Sequence, residues 1–171
     1  WNEPWIDETR QWVQAAIDDG LPALGICWGH QLLADALGGT VEAMGEHELG
    51  YRTVRHTGAD IFDGVPSEFT VFTTHSDAVT ELPDGAELIA ENDHGIHGFK
   101  HGRVHGIQAH PEYDPQTAES VVRAKDHLSD ERIESVCSGI TEEAHAASMD
   151  AKAIFGNFCR TVSATRTSAL D

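Results

Sequence analysis

The chain has 171 residues, with 11 Lys and Arg against 29 Asp and Glu, a formal net charge of -18. Such an acidic surface opposes binding to nucleic acid or to an anionic membrane. No apolar run approaches the roughly 20 residues a bilayer crossing needs, and the length suits one domain with a sizeable core.

The sequence opens on Trp1 rather than Met, with no basic start leading into an apolar stretch, so it does not open as a signal peptide. It reads as beginning inside a longer protein. Cys27, Cys137 and Cys159 lack metal-ligand or disulfide spacing, which points to a reducing, cytoplasmic setting. The acidic residues are dispersed, as on the surface of a salt-adapted protein. A loss of folding in high salt would contradict that expectation.

Residues 4–19 place Trp5, Ile6, Trp12, Val13, Ala16 and Ile17 at helical spacing, with Pro4 at the start and Gly20 at the end. LPALGI, residues 21–26, then suits a short buried strand, and WGHQLLADALGG a helix stopped by Gly38 and Gly39. Helix, strand, helix is the order of an α/β sheet.

From residue 40 to 108 the pattern changes to short β-rich pieces: TVEAM, LGYRTVRH, FTVFTTH, AELIAE, GIHGFKH and RVHGIQA. Gly, Pro and Asp separate them, so several should pair as hairpins. Helical spacing returns in TAESVVRAKDHL and in EEAHAASMDAKAIFGNFCRTV, with an irregular connector around SDERIESVCSG.

Two stretches carry chemistry. In GICWG, a cysteine sits between glycines at the junction of strand and helix. A nucleophile on so tight a turn has a strained backbone, and Gly25 and Gly29 are expected to be small so that the turn closes. The helix beginning near Trp28 would aim its free N–H groups and positive dipole end at the sulfur, favouring the thiolate, and the Trp28 N–H could stabilise an oxyanion. A small buried core cysteine is the competing reading of this stretch alone.

Some eighty residues on, HGIQAHPEY delivers His110 and Glu112, two apart and expected on one face of an extended segment. There the carboxylate can hold one imidazole nitrogen while the other serves the cysteine. His94, His97, His101, His105 and His110 crowd the same region. On strands and turns their spacings scatter the rings, which favours ordinary histidines over a metal site.

GICWGHQ and AHPE together resemble the two signatures of class I glutamine amidotransferases. The resemblance implies an α/β fold with an open, mostly parallel sheet flanked by helices, flavodoxin-like, with an added antiparallel β portion. It covers 1–171 as a single domain lacking the family's first strands and the Gly-rich loop that completes the oxyanion hole. Within the family the nearest likeness is to the amidotransferase portion of GMP synthase.

The resemblance further implies Cys27, His110 and Glu112 as a catalytic triad, and Trp28, Gln31, Thr74, Ser76 and Asp77 as substrate-binding positions, the last three in THSDAV. Glutamine is the implied substrate, hydrolysed through a cysteine thioester, with ammonia passed to a synthase or ligase. No cofactor and no metal are implied. The alternatives are a γ-glutamyl amide or peptide hydrolase using the same triad, and a non-catalytic regulatory subunit of the same fold.

Overall fold

The computed structural model describes residues 3–168. Six α-helices, α1 (Pro4–Asp18), α2 (Trp28–Ala36), α3 (Pro115–Arg123), α4 (Asp130–Ser138), α5 (Glu142–Ser148) and α6 (Ala153–Ser168), accompany six strands. The strands are β1 (Ala23–Ile26), β2 (Thr40–His56), β3 (Glu68–Glu81), β4 (Glu87–Asn92), β5 (Gly95–His101) and β6 (Val104–Ile107), in the sheet order β1-β6-β5-β4-β2-β3. No helix among the described residues is long and apolar enough to cross a membrane.

The chain forms two compact units. The first comprises the residues through Glu46 and Ser76–Gln108; the second, His47–His75 and the chain from Ala109 onward. β2 and β3 each contribute residues to both.

In the first unit β1 pairs in parallel with β6, Ala23 opposite Val104 through Ile26 opposite Ile107. All four β6 residues are buried, as a central strand covered on both faces requires. β5 pairs antiparallel with β6 and with β4, supplying the added antiparallel portion of this α/β sheet. Leu33 and Ala34 of α2 pack with Val79, Phe99 and Val104, and Val13 and Ile17 of α1 lie against that cluster. Burying one such Phe or Leu side chain is worth about 1.5–3 kcal/mol. An apolar groove runs beside β1, lined by Trp12, Ile17, Leu21, Leu24 and Leu32.

In the second unit Leu49, Phe72, Ala118, Val122 and Val136 form the core, with Tyr51 and Tyr113 packed on it. Asn157 of α6 is buried and donates from Nδ2 to the carbonyls of Ile61 and Asp63, at 2.8 and 2.9 Å. One side chain thus satisfies two carbonyls in and beside a 3-10 turn, Asp60–Phe62.

Three local expectations are corrected. TVEAM and LGYRTVRH are one 17-residue strand, β2: the polar GEHE between them stays in the strand, with Gly45 taking a positive φ of 76° that glycine tolerates. The stretch SDERIESVCSG is ordered as helix α4: Ser129 caps the Arg132 N–H, Asp130 and Glu131 face the positive helix end, and Val136 is buried. The long closing helix is interrupted by the 3-10 turn Met149–Lys152, which divides α5 from α6.

Candidate active site

Cys27 lies between the last residue of β1 and the first of α2, with φ 51° and ψ -107°. It is the single non-glycine residue with positive φ among those described. Such a conformation costs of order 1–3 kcal/mol and persists only where the surroundings impose it. Here the Cys27 N–H donates to Ile107 O at 2.8 Å, and the Cys27 carbonyl accepts from the Gln31 N–H at 3.1 Å. The first bond extends the β1–β6 ladder by one residue; the second opens helix α2.

The glycines at the elbow are not equivalent. A Cβ on Gly25 would fall 2.4 Å from the Gly29 carbonyl oxygen and 2.5 Å from Leu33 Cδ1, so strand and helix approach too closely for any side chain. A Cβ on Gly29 would meet nothing within 4 Å. The expectation that both must be small for the turn to close is corrected: Gly25 alone carries that constraint. Gly106 makes a similar close approach, its Cβ position being 2.4 Å from the Phe99 ring and 2.5 Å from His30 Nδ1.

Trp28 begins α2 with its ring exposed and lying 5.4 Å from that of Trp5. Gln31 faces inward, 3% exposed, and its Nε2 donates to the Asp77 carbonyl at 2.7 Å and to Gln108 Oε1 at 3.1 Å. Both amide hydrogens are therefore engaged by the protein. Thr74, Ser76 and Asp77 follow one another along β3, Thr74 buried, Ser76 exposed and Asp77 half-buried.

In the second unit the His110 N–H donates to Phe72 O at 2.8 Å, an isolated antiparallel bridge that ties the residue to β3. His110 Nδ1 donates to Glu112 Oε1 at 2.7 Å. Because an ionised carboxylate only accepts, the Nδ1 carries hydrogen and Nε2 is the basic position of the neutral ring. The sequence spacing predicts the pair on one face of an extended segment. Instead Pro111 and Glu112 lie in a turn closed by the Tyr113 N–H and His110 O at 3.4 Å, and the carboxylate swings back onto the ring.

Tyr113 stacks on the imidazole, centroids 4.1 Å apart, and contacts Phe72 in turn. The turn leads directly into α3, where Asp114 accepts from the Thr117 N–H, a bond that holds its carboxyl below the usual range. The His110 side chain is 11% exposed and that of Glu112 41%. The ring is therefore largely sheltered while its carboxylate partner stays wet.

Another His–carboxylate contact, this one buried, joins two residues to which the sequence reading assigns no role. His75 Nε2 donates to Glu48 Oε2 at 2.6 Å, with Glu48 fully buried. EHELG carries two acids flanking a histidine, and nothing in its pattern separates the buried one. Of the clustered histidines, His97 on β5 and His105 on β6 are buried, whereas His94 is exposed at a turn, 3.5 Å from Glu46.

The glutamine amidotransferase class-I family profile matches residues 2–127. The chain belongs to the class I glutamine amidotransferase family. Glutamine-hydrolysing GMP synthases of Staphylococcus epidermidis and Staphylococcus aureus are 44% and 43% identical to it over 96 residues. Those matches take in 54% of this chain and 19% of the relatives, so the chain spans about a fifth of their length.

Two solved structures share the class I amidotransferase-like fold. A glutamine amidotransferase from Thermotoga maritima matches with a TM-score of 0.77 at 24% identity, over 91% of this chain and 70% of that one. A Thermoplasma acidophilum protein named as a GMP synthase subunit matches at 0.69 and 28%, over 97% and 71%. Gln108, buried beside Gln31, stands outside both sequence signatures. It lies two places before His110 and directly after β6, where a polar residue closing an apolar stretch is the available signal.

Proposed function

We propose that this chain hydrolyses the side-chain amide of glutamine and supplies the ammonia to a synthase or ligase, in the manner of a GMP synthase amidotransferase portion. The observation that carries the reading is the strained elbow at Cys27, a conformation that a merely structural cysteine has no reason to hold. The 2.7 Å His110–Glu112 contact, which leaves Nε2 basic, supports it.

In this mechanism His110 Nε2 takes the Cys27 proton and the sulfur attacks the carboxamide carbon. The oxyanion so formed is stabilised by backbone N–H groups, that of Trp28 among them. Collapse breaks the C–N bond, and the imidazolium returns its proton to the leaving nitrogen as ammonia. The glutamyl thioester is then attacked by water, which gives its proton to His110; glutamate leaves and the thiol is restored.

Glu112 holds the imidazole in the required tautomer and stabilises its charged form. Thr74, Ser76 and Asp77 receive the amino-acid end of glutamine. These steps need no cofactor or metal, and the site is proposed to work in the cytoplasm.

The test is steady-state glutamine hydrolysis by wild type, Cys27→Ala and His110→Asn, with release of glutamate and ammonia measured separately. One-to-one release by wild type alone is expected. Equal rates in all three proteins would overturn the reading.

A further inference from the structure

We propose that Gln108 is a positioning residue for the amino-acid end of glutamine, acting through Gln31 on the backbone at Asp77. The proposal rests on the glutaminase reading and assigns a role to a residue which that mechanism leaves unused.

Gln108 follows β6 directly and is held to β5 by its N–H, which donates to His97 O at 2.9 Å. Its side chain is fully buried. Its Oε1 takes one hydrogen of Gln31 Nε2 at 3.1 Å, and the Asp77 carbonyl takes the other at 2.7 Å. The second acceptor is a backbone carbonyl that cannot donate, so the orientation of the Gln31 amide is determined, and with it that of Gln108. Flipping either amide would set oxygen against oxygen or nitrogen against nitrogen.

This arrangement leaves Gln108 Nε2 buried with no hydrogen-bond partner among the described residues. An unsatisfied buried donor carries a desolvation penalty that Leu or Met of similar volume would not. The amide is therefore poor as core filling. What it contributes is an acceptor that fixes Gln31.

Gln31 stands one helical turn beyond Cys27 and bonds its carbonyl, so the same residue links the elbow to β3. Fixing the Asp77 carbonyl fixes the Asp77–Ala78 peptide plane, and so the course of the backbone leaving Asp77. A zwitterionic amino-acid end, with one cationic and one anionic group, is sensitive to that placement because its recognition depends on aimed donors and acceptors.

The experiment compares wild type, Gln108→Leu, Gln108→Met and Gln108→Glu in glutamine hydrolysis and in alkylation of Cys27 by iodoacetamide, a small electrophile without an amino-acid end. Leu and Met remove the acceptor, whereas Glu keeps one. The expected result is a KM for glutamine raised about tenfold in the Leu and Met variants with kcat within about threefold of wild type. Cys27 alkylation should be unchanged, and Gln108→Glu should lie nearer wild type than the other two. Two apolar variants are used so that misfolding of one does not decide the outcome.

An unchanged KM, or a fall in kcat and alkylation rate together, would overturn the positioning role while leaving the glutaminase reading intact. A wild type no faster than Cys27→Ala would overturn that reading, and this inference with it.

Discussion

Glu112 Oε1 accepts from His110 Nδ1 at 2.7 Å across a turn, with Pro111 between them. The geometry commits Nδ1 to the carboxylate and leaves Nε2 as the proton acceptor. Glu112→Gln keeps an acceptor in place but loses the charge that stabilises the imidazolium. It should lower kcat for glutamine by about 10²-fold with little change in KM. Steady-state kinetics check this, and a kcat equal to wild type would show that the carboxylate is dispensable.

The elbow gives a contrast between two glycines. Gly25→Ala places a methyl group within 2.4 Å of the Gly29 backbone, so α2 must move off β1 or the turn must open. Loss of soluble folded protein, or at least a loss of Cys27-dependent activity of about 100-fold, is expected. Gly29→Ala meets open space in this chain and gains helix propensity of about 1 kcal/mol, so it should leave the melting temperature unchanged or higher. Thermal melts of the two variants side by side decide the matter.

Asn157→Ala withdraws one donor group from two carbonyls and opens space in the second unit. A destabilisation of about 2–3 kcal/mol follows, read as a lower urea midpoint with an unchanged slope. A smaller effect in Asn157→Asp would be unexpected, since the replacement cannot donate and adds a buried charge.

His47 supplies a pH dependence. Burial first, and then the positive charges of Lys125, His127, His75 and Arg132, lower its pKa from 6.5 to about 4. The unfolded chain therefore binds a proton before the folded one does as pH falls. The stability linked to this group is complete above about pH 6.5 and is lost progressively as pH falls toward 4. His47→Asn should flatten the denaturation midpoint across that window. A difference between variant and wild type confined to alkaline pH would contradict the assignment.

The parts of the fold that follow from local chemistry are legible in the sequence. β5 matches GIHGFKH residue for residue, and α1 and α2 begin where Pro4 and the elbow require. Polarity at functional or solvent-facing positions is what misleads. GEHE looks like a turn, yet β2 runs through it with Glu48 turned inward to His75. In α4, Ile133, Val136 and Cys137 are too few to establish a period in a nine-residue helix whose other side chains are mostly exposed. Gln108 escapes because its partner Gln31 lies 77 residues away, and a lone polar residue after an apolar stretch does not by itself name that partner.

Whether Cys27 is the nucleophile of a glutamine site is read most directly by intact-mass analysis and peptide mapping after incubation with a diazoketone analogue of glutamine. Such a reagent alkylates a sulfur only where a glutamine site delivers it. One adduct per chain is expected, located on Cys27, blocked by excess glutamine and strongly slowed in His110→Asn. An unmodified Cys27, or adducts on Cys137 and Cys159 that glutamine does not suppress, would contradict the proposed chemistry.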